Sequence, residues 1–359
     1  NISLLQDSNM RRGTQSGSQC MGMQAFLNFF RGKRSVDTDF CDEIPTALYF
    51  STRSWDITDL YALYDGDVKD MPCGSNLKNI LSEFGWNACS VSMPDFLKTG
   101  EFVVTTDKLQ DKVRIGLVSW RVHNDSWISM VTKSKDPFRL DRHTRWMRLV
   151  NDILKLESEK KPHYVLFPEL AVPPAIFMRT ARRLAKNGIS LIAGIDYLHK
   201  SKKEKDATRN SENTIKKYIK NQVWCSLAYD GYEDSPVILK YSKRMLANKE
   251  ERQLHDIANA DLVEASDGDR LVVRHGNATN NLCFSVLICN ELLDISARAR
   301  LRGKIDILFV PAWNRDIPTY AAAIEASAYD IHSYVALCNS REYGDTRLRV
   351  PAKECYSRD

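Results

Sequence analysis

Residues 282–288 form a nearly unbroken apolar run that stops at Cys289-Asn290-Glu291. A run this short, without polar alternation, is the pattern of a strand covered on both faces. Such strands need a layer on each side, which restricts the chain to a layered α/β architecture. A helical segment, Ile295 to Leu301, follows. A thiol where a buried strand turns into a helix has backbone N–H groups nearby to meet developing negative charge. A cysteine alone decides little, because most buried Cys are inert packing. Its partners have to come from the rest of the chain.

The segments upstream have the same texture. Val113–Trp120 reads as a strand, and Arg142 to Ser158 as a helix with Trp146, Leu149, Val150 and Leu154 on one face. His163–Phe167 is a strand that runs into Pro168-Glu169. A helix over Ala175–Asn187, closed by Gly188, leads to strand Ile189–Ile195. This alternation predicts an α/β sheet with helices packed on it. Residues 199–220 hold eight Lys and Arg and read as an exposed, partly mobile insertion. Gln222–Tyr229 and Val237–Tyr241 read as a hairpin around Asp230-Gly231, with Lys243 just past it. Strand Leu271–Arg274 precedes the Cys289 strand. Strand Ile305–Val310, helix Thr319–His332 and strand Tyr334–Asn339 come after it.

Composition sets limits. The longest apolar runs fall short of the 18 or so residues of a membrane span, so no membrane partner is expected. Nine Cys without paired or C-x-x-C spacing fit neither a disulfide framework nor a structural zinc site; a reducing, cytoplasmic setting is expected. With no Walker loop or G-x-G-x-x-G, phosphate cradling has no support, and no metal or organic cofactor is expected. Residues 1–112 carry 11 Lys and Arg against 15 Asp and Glu, net −4; the remainder carries 40 against 31, net +9. The change of sign marks a boundary near 112, between an N-terminal accessory region and an α/β domain over 113–359. The basic part could attract nucleic acid, although a solvated lysine-rich surface explains it more simply. The chain opens at Asn1 in a polar stretch, which reads as a piece of a longer polypeptide.

Three reactive side chains stand just beyond strand ends: Glu169, Lys243 and Cys289. Sites in open α/β sheets collect there. A carboxylate that takes the thiol proton, a thiolate that attacks carbon and an ammonium beside the oxyanion can together run acyl chemistry. Singly, Glu169 reads as a helix N-terminal acid and Lys243 as a surface lysine. Seven His are present, but none is spaced to point at Cys289.

From Val113 to Gly344 the chain resembles the carbon–nitrogen hydrolase, or nitrilase, superfamily. Leu166-Phe167-Pro168-Glu169 is similar to its glutamate strand. Tyr241-Ser242-Lys243-Arg244-Met245-Leu246 is similar to its lysine motif, and Leu287-Ile288-Cys289-Asn290-Glu291 to its nucleophile motif. Asp306 to Trp313, with Pro311-Ala312-Trp313, and Ala322 to Gly344, with Asn339, resemble the segments that close the core. The resemblance implies an αββα sandwich, a homo-oligomer, and hydrolysis of a small-molecule amide or nitrile through a cysteine thioester. It implies Glu169 as base and acid, Lys243 as oxyanion stabiliser and Cys289 as nucleophile. A further glutamate, Glu251 with Glu250 as the near alternative, would orient Lys243 and the attacking water. Asn290 stands where aromatic residues are common and is expected to alter the pocket wall; Glu291 is the acid two residues after the nucleophile. The competing expectation is a non-catalytic module for binding or assembly in a larger polypeptide, such as a bacterial defence reverse transcriptase fusion.

Overall fold

The computed structural model describes residues 101–205, 213–230, 236–247, 249–262 and 270–352, with side chains outside 200–216. The expectations for residues 1–100, including a short helix at 21–31, lie outside the described residues.

One sheet runs β1 (Glu101–Val104), β8 (Val272–Gly276), β9 (Asn281–Val286), β10 (Ile307–Ala312), β11 (Tyr334–Asn339) and β12 (Arg347–Arg349). The other runs β2 (Ile115–Leu117), β3 (Tyr164–Leu166), β4 (Ser190–Lys205), β5 (Asn213–Leu227) and β6 (Val237–Ser242), with β7 (Ala260–Leu262) paired to β5. β2, β3 and β4 are parallel, as are β9, β10 and β11. β5 and β6 form the antiparallel pair read from the sequence. The helices are α1 (Asn124–Thr132), α2 (Arg139–Lys155), α3 (Pro174–Ala185), α4 (Glu250–Ala258), α5 (Ile295–Leu301) and α6 (Ile317–Ile331).

Side-chain alternation along the strands builds the layers. On β3, Tyr164 points at the other sheet, where its ring meets Phe284 of β9 and Phe309 of β10 at centroid distances of 5.9 and 5.7 Å. Its hydroxyl pairs with His275 Nδ1 at 2.5 Å, and His275 Nε2 pairs with the Ala228 carbonyl at 2.7 Å. This polar chain through the sheet interface is fully satisfied, as burial demands. Phe167, three residues after Tyr164, faces the opposite way and stacks on Trp146 of α2 at 4.2 Å. Phe177 of α3 packs edge-on against Trp224 of β5. α5 and α6 lie against each other, and α6 packs on β11. Helices, sheet, sheet, helices is the αββα sandwich implied by the resemblance.

Several local expectations are corrected. Residues 101–112 belong to the α/β body rather than to the accessory region: Glu101–Val104 pair with Val272–His275, and Val104 and Leu109 are buried. The charge count could not see this, because four short residues of strand carry little charge signal. The described ends of the stretch 199–220 are strand rather than loop, since β4 runs to Lys205 and β5 starts at Asn213. Its lysine-rich composition reads as loop when taken alone. α1 lies in a stretch read as loop; its buried Trp127, Met130 and Val131 have helical spacing. α4 buries only Leu254, too little for periodicity to register.

The placement of β1 gives a stability prediction. A chain starting at residue 101 keeps β1 whole. A chain starting at 113 loses the side chains of Val104 and Leu109 and leaves β8 as a bare edge. Two buried aliphatic side chains contribute about 3–6 kcal/mol, a large share of a domain's net stability. The expected outcome is a lower melting temperature or insoluble protein for the 113 start; equal melting curves for the two starts would contradict the assignment of β1.

Candidate active site

Glu169 and Cys289 are held by backbone that leaves its strand sharply, whereas Lys243 is held by the continuing edge of its strand pairing. After β3, Leu170 takes a left-handed φ of 55°, which turns Glu169 inward. The turn lies against β4 at Gly194, whose N–H donates to the Pro168 carbonyl at 3.1 Å, while Ala171 N–H donates to the Gly194 carbonyl at 2.9 Å. A Cβ on Gly194 would lie 2.4 Å from both Glu169 Cα and Leu170 N, so only glycine admits this approach. The signal was available: a lone Gly inside the apolar run Leu191–Ile195 marks a close backbone approach. Lys243 follows β6 directly and its N–H donates to the Asn221 carbonyl of β5 at 2.8 Å.

Cys289 opens a 3-10 turn, Cys289–Leu293, between β9 and α5, and has a left-handed φ of 49°. A non-glycine residue held there stores about 1–3 kcal/mol and persists only where its surroundings dictate it. Glu291 supplies much of that dictation. Its Oε2 accepts from Ile288 N–H at 2.7 Å, its Oε1 accepts from Arg244 N–H at 2.5 Å, and the same Oε1 pairs with the Arg270 guanidinium. Arg270 also donates to the Ser242 carbonyl at 2.9 Å. Asn290 donates through Nδ2 to the Leu246 carbonyl at 2.7 Å. Asn290 and Glu291 therefore bind the Cys289 turn to the loop that carries Lys243.

Glu169 and Lys243 are each 2% exposed, and Cys289 is 3% exposed. Lys243 Nζ lies 2.9 Å from Glu169 Oε1 and 2.7 Å from Glu250 Oε2. The supporting carboxylate is thus Glu250, the alternative, and not Glu251. The helical step of about 100° per residue turns Glu251 away, and it is exposed. Glu250 is fixed further by Ala247 N–H at 3.3 Å and by the Tyr197 hydroxyl at 3.0 Å, which in turn accepts from Trp127 Nε1 at 3.3 Å. Asn221 donates through Nδ2 to Glu169 Oε1 at 2.7 Å and to Glu250 Oε1 at 3.3 Å. Asn221, Tyr197 and Gly194 were not singled out from sequence; a buried Asn or Tyr in a strand carries no local signature.

Charge in the cluster follows from burial and pairing. Burial pushes the Glu169 carboxyl up, and Glu250 adds to this, while Lys243 opposes it. Burial disfavours the Lys243 ammonium, but Glu169 and Glu250 outweigh it and hold its pKa well above the usual lysine value. Glu250 is depressed because Lys243 overcomes its burial. Burial and the Glu169 charge push the Cys289 thiol up to about 12, against the pull of Lys243, the Tyr320 hydroxyl and the Trp313 backbone N–H. The Cys289 sulfur lies 3.5 Å from Tyr320 Oη. At neutral pH the resting site therefore holds a neutral thiol, an ammonium and an ionised Glu250. Among the described residues, no group of three His, Cys, Asp or Glu is arranged to hold a metal ion, and no helix is long and apolar enough to cross a membrane.

No family model matches the chain, and no curated protein does. Solved structures do. An amidase from Nesterenkonia sp. AN1 aligns with 14% identity over 68% of this chain and 87% of that one, with a TM-score of 0.45. A mutant of that amidase, with the acetamide moiety of fluoroacetamide added covalently at its active-site cysteine, aligns with 15% identity over 68% and 85%, TM-score 0.45. A CN-hydrolase superfamily protein from Xanthomonas campestris, with an arsenic adduct in its active site, aligns with 15% identity over 67% and 83%, TM-score 0.42. The superfamily named there is the one the sequence motifs resemble.

The two neighbouring glutamates can be told apart by stability. Glu250→Ala removes one of two carboxylates from a buried ammonium and should destabilise by about 3–5 kcal/mol. Glu251→Ala should fall within about 0.5 kcal/mol of wild type. Because the folded pKa of Glu250 is depressed, its contribution is present above the ordinary carboxylate range and fades as pH falls through the lowered value. Chemical denaturation of both variants at pH 7 and in mild acid measures this; equal midpoints would remove Glu250 from the cluster.

Proposed function

We propose that this chain hydrolyses a non-peptide carbon–nitrogen bond, an amide in preference to a nitrile, through a thioester on Cys289. The single observation that carries this is the buried ammonium of Lys243 held between Glu169 and Glu250 and electrostatically coupled to the Cys289 thiol. A buried acid, base and nucleophile with opposed pKa shifts are a costly arrangement to keep for packing alone.

In the proposed reaction Glu169 takes the proton from the thiol as sulfur attacks the carbonyl carbon. The C–S bond forms, and the carbonyl electron pair moves to oxygen, where Lys243 offsets the charge. The intermediate collapses, the C–N bond breaks and Glu169 returns the proton to the leaving nitrogen. Water, deprotonated by Glu169, then attacks the thioester; the carboxylic acid leaves and the thiol regains its proton. A neutral resting thiol makes the base obligatory, since self-ionisation near pH 12 leaves almost no thiolate at pH 7.

The test is the intact mass of the protein incubated with a panel of simple amides and nitriles. An added acyl mass that Cys289→Ala abolishes is the expected result. Lys243→Arg should lose turnover nearly as fully as Lys243→Ala, because a planar fork cannot occupy the place of an ammonium between two carboxylates. No adduct and no turnover across the panel, with the wild-type fold intact, would favour the binding-module reading.

The pH profile has a defined sign. Glu169 must be ionised to accept the proton, and its pKa is raised, so kcat/KM should fall on the acid side at a pH above the ordinary glutamate value. Lys243 stays charged through the alkaline range. An acid limb at or below the ordinary carboxylate range would show that Glu169 is not the base.

A further inference from the structure

Asn221 is 1% exposed and touches each member of the charged cluster: its carbonyl accepts the Lys243 N–H, and its Nδ2 donates to Glu169 Oε1 and Glu250 Oε1. The orientation of the carboxamide is fixed by chemistry, because the flipped form would set its oxygen against two carboxylate oxygens. Its own Oδ1 is buried and has no hydrogen-bond partner among the described residues. The same carboxamide places its donor on two buried carboxylates, which an apolar residue of that size would leave without it. The donor contacts are what the position retains.

Those contacts divide the two oxygens of Glu169. Lys243 Nζ and Asn221 Nδ2 both fall on Oε1, at 2.9 and 2.7 Å. No hydrogen-bond donor of the described residues reaches Oε2. We propose that Asn221 is a positioning residue of this hydrolase: with Lys243 it saturates Glu169 Oε1, keeps the carboxylate ionised, and leaves Oε2 to take the thiol proton. The inference rests on the proposed role of Glu169 as base.

The titratable groups coupled to Glu169 come from several elements: Lys243 after β6 and Glu250 at the start of α4 act on it, and its charge in turn acts on Cys289 after β9, Tyr320 on α6 and Tyr197 on β4. Of these, Lys243 stabilises the ionised form and Glu250 opposes it; Asn221 adds a second donor to the ionised form without adding charge. Removing that donor should raise the proton affinity of Glu169.

The experiment is the pH dependence of Cys289 alkylation by iodoacetamide, followed by intact mass, which needs no substrate. In wild type the rate should rise through the titration of Glu169. In Asn221→Ala and Asn221→Leu the midpoint should move up by about one pH unit, a tenfold change in proton affinity. The Leu variant is close in volume, removes the donor without adding charge, and carries the test if the Ala variant does not fold. Glu169→Gln separates the two claims. If it removes the acid limb while folded Asn221 variants keep the wild-type midpoint, Asn221 is only structural and the inference is overturned. If Glu169→Gln leaves the limb in place, Glu169 is not the base, and the proposed function and this inference both fall. An upward midpoint with an unchanged melting temperature would support the inference most directly.

Discussion

The site depends on one buried ion cluster, Lys243 between Glu169 and Glu250. Taking an ammonium out of water costs several kcal/mol, and the pairing offsets this only if both carboxylates sit at hydrogen-bond distance. At 2.9 and 2.7 Å they do. The cluster joins the end of β3 to the end of β6 and the first turn of α4; Lys243 and Glu250 are seven residues apart, but Glu169 lies 74 residues before Lys243. A shift in any of them strands a buried charge. The sandwich around the cluster therefore has to hold those ends within tight tolerances, which its dense aromatic core and the Gly194 contact supply.

A second buried pair, Arg270 with Glu291, works on the nucleophile side. It joins the approach to β8, the lysine loop and the turn that carries Cys289. Rigid support of this kind is what a left-handed cysteine needs, because the turn would otherwise relax. The two clusters share the segment 242–247, so the lysine and the thiol are positioned by a common piece of backbone. In the proposed reaction, a thiol kept neutral by burial beside a carboxylate made more basic by burial gives up its proton only when an electrophile arrives.

The order of the motifs was legible in the sequence because each rests on local rules. Apolar runs gave the strands, and the strand ends at Glu169, Lys243 and Cys289 gave the reactive positions. Strand Tyr334–Asn339 and helix Ile295–Leu301 have the bounds their periodicity predicts. Where the local signal was weak the reading failed for identifiable reasons. β1 is four residues long, α4 has one buried residue, and a lysine-rich strand has the composition of a loop. Asn290 and Glu291 were named as site residues, but which groups they bind depends on which loop packs beside them.

What the sequence determined by itself was the layered α/β class and three candidate groups beyond strand ends, because strand burial and turn chemistry act over a few residues. Which of two adjacent glutamates faces Lys243 was decided only by the tertiary structure, since the direction of α4 sets which side chain points inward. The same holds for Asn221 and Gly194, whose parts arise from contacts across sheets and turns. It holds also for the neutral state of the thiol, because burial and the field of distant charges are properties of the packed chain rather than of any segment.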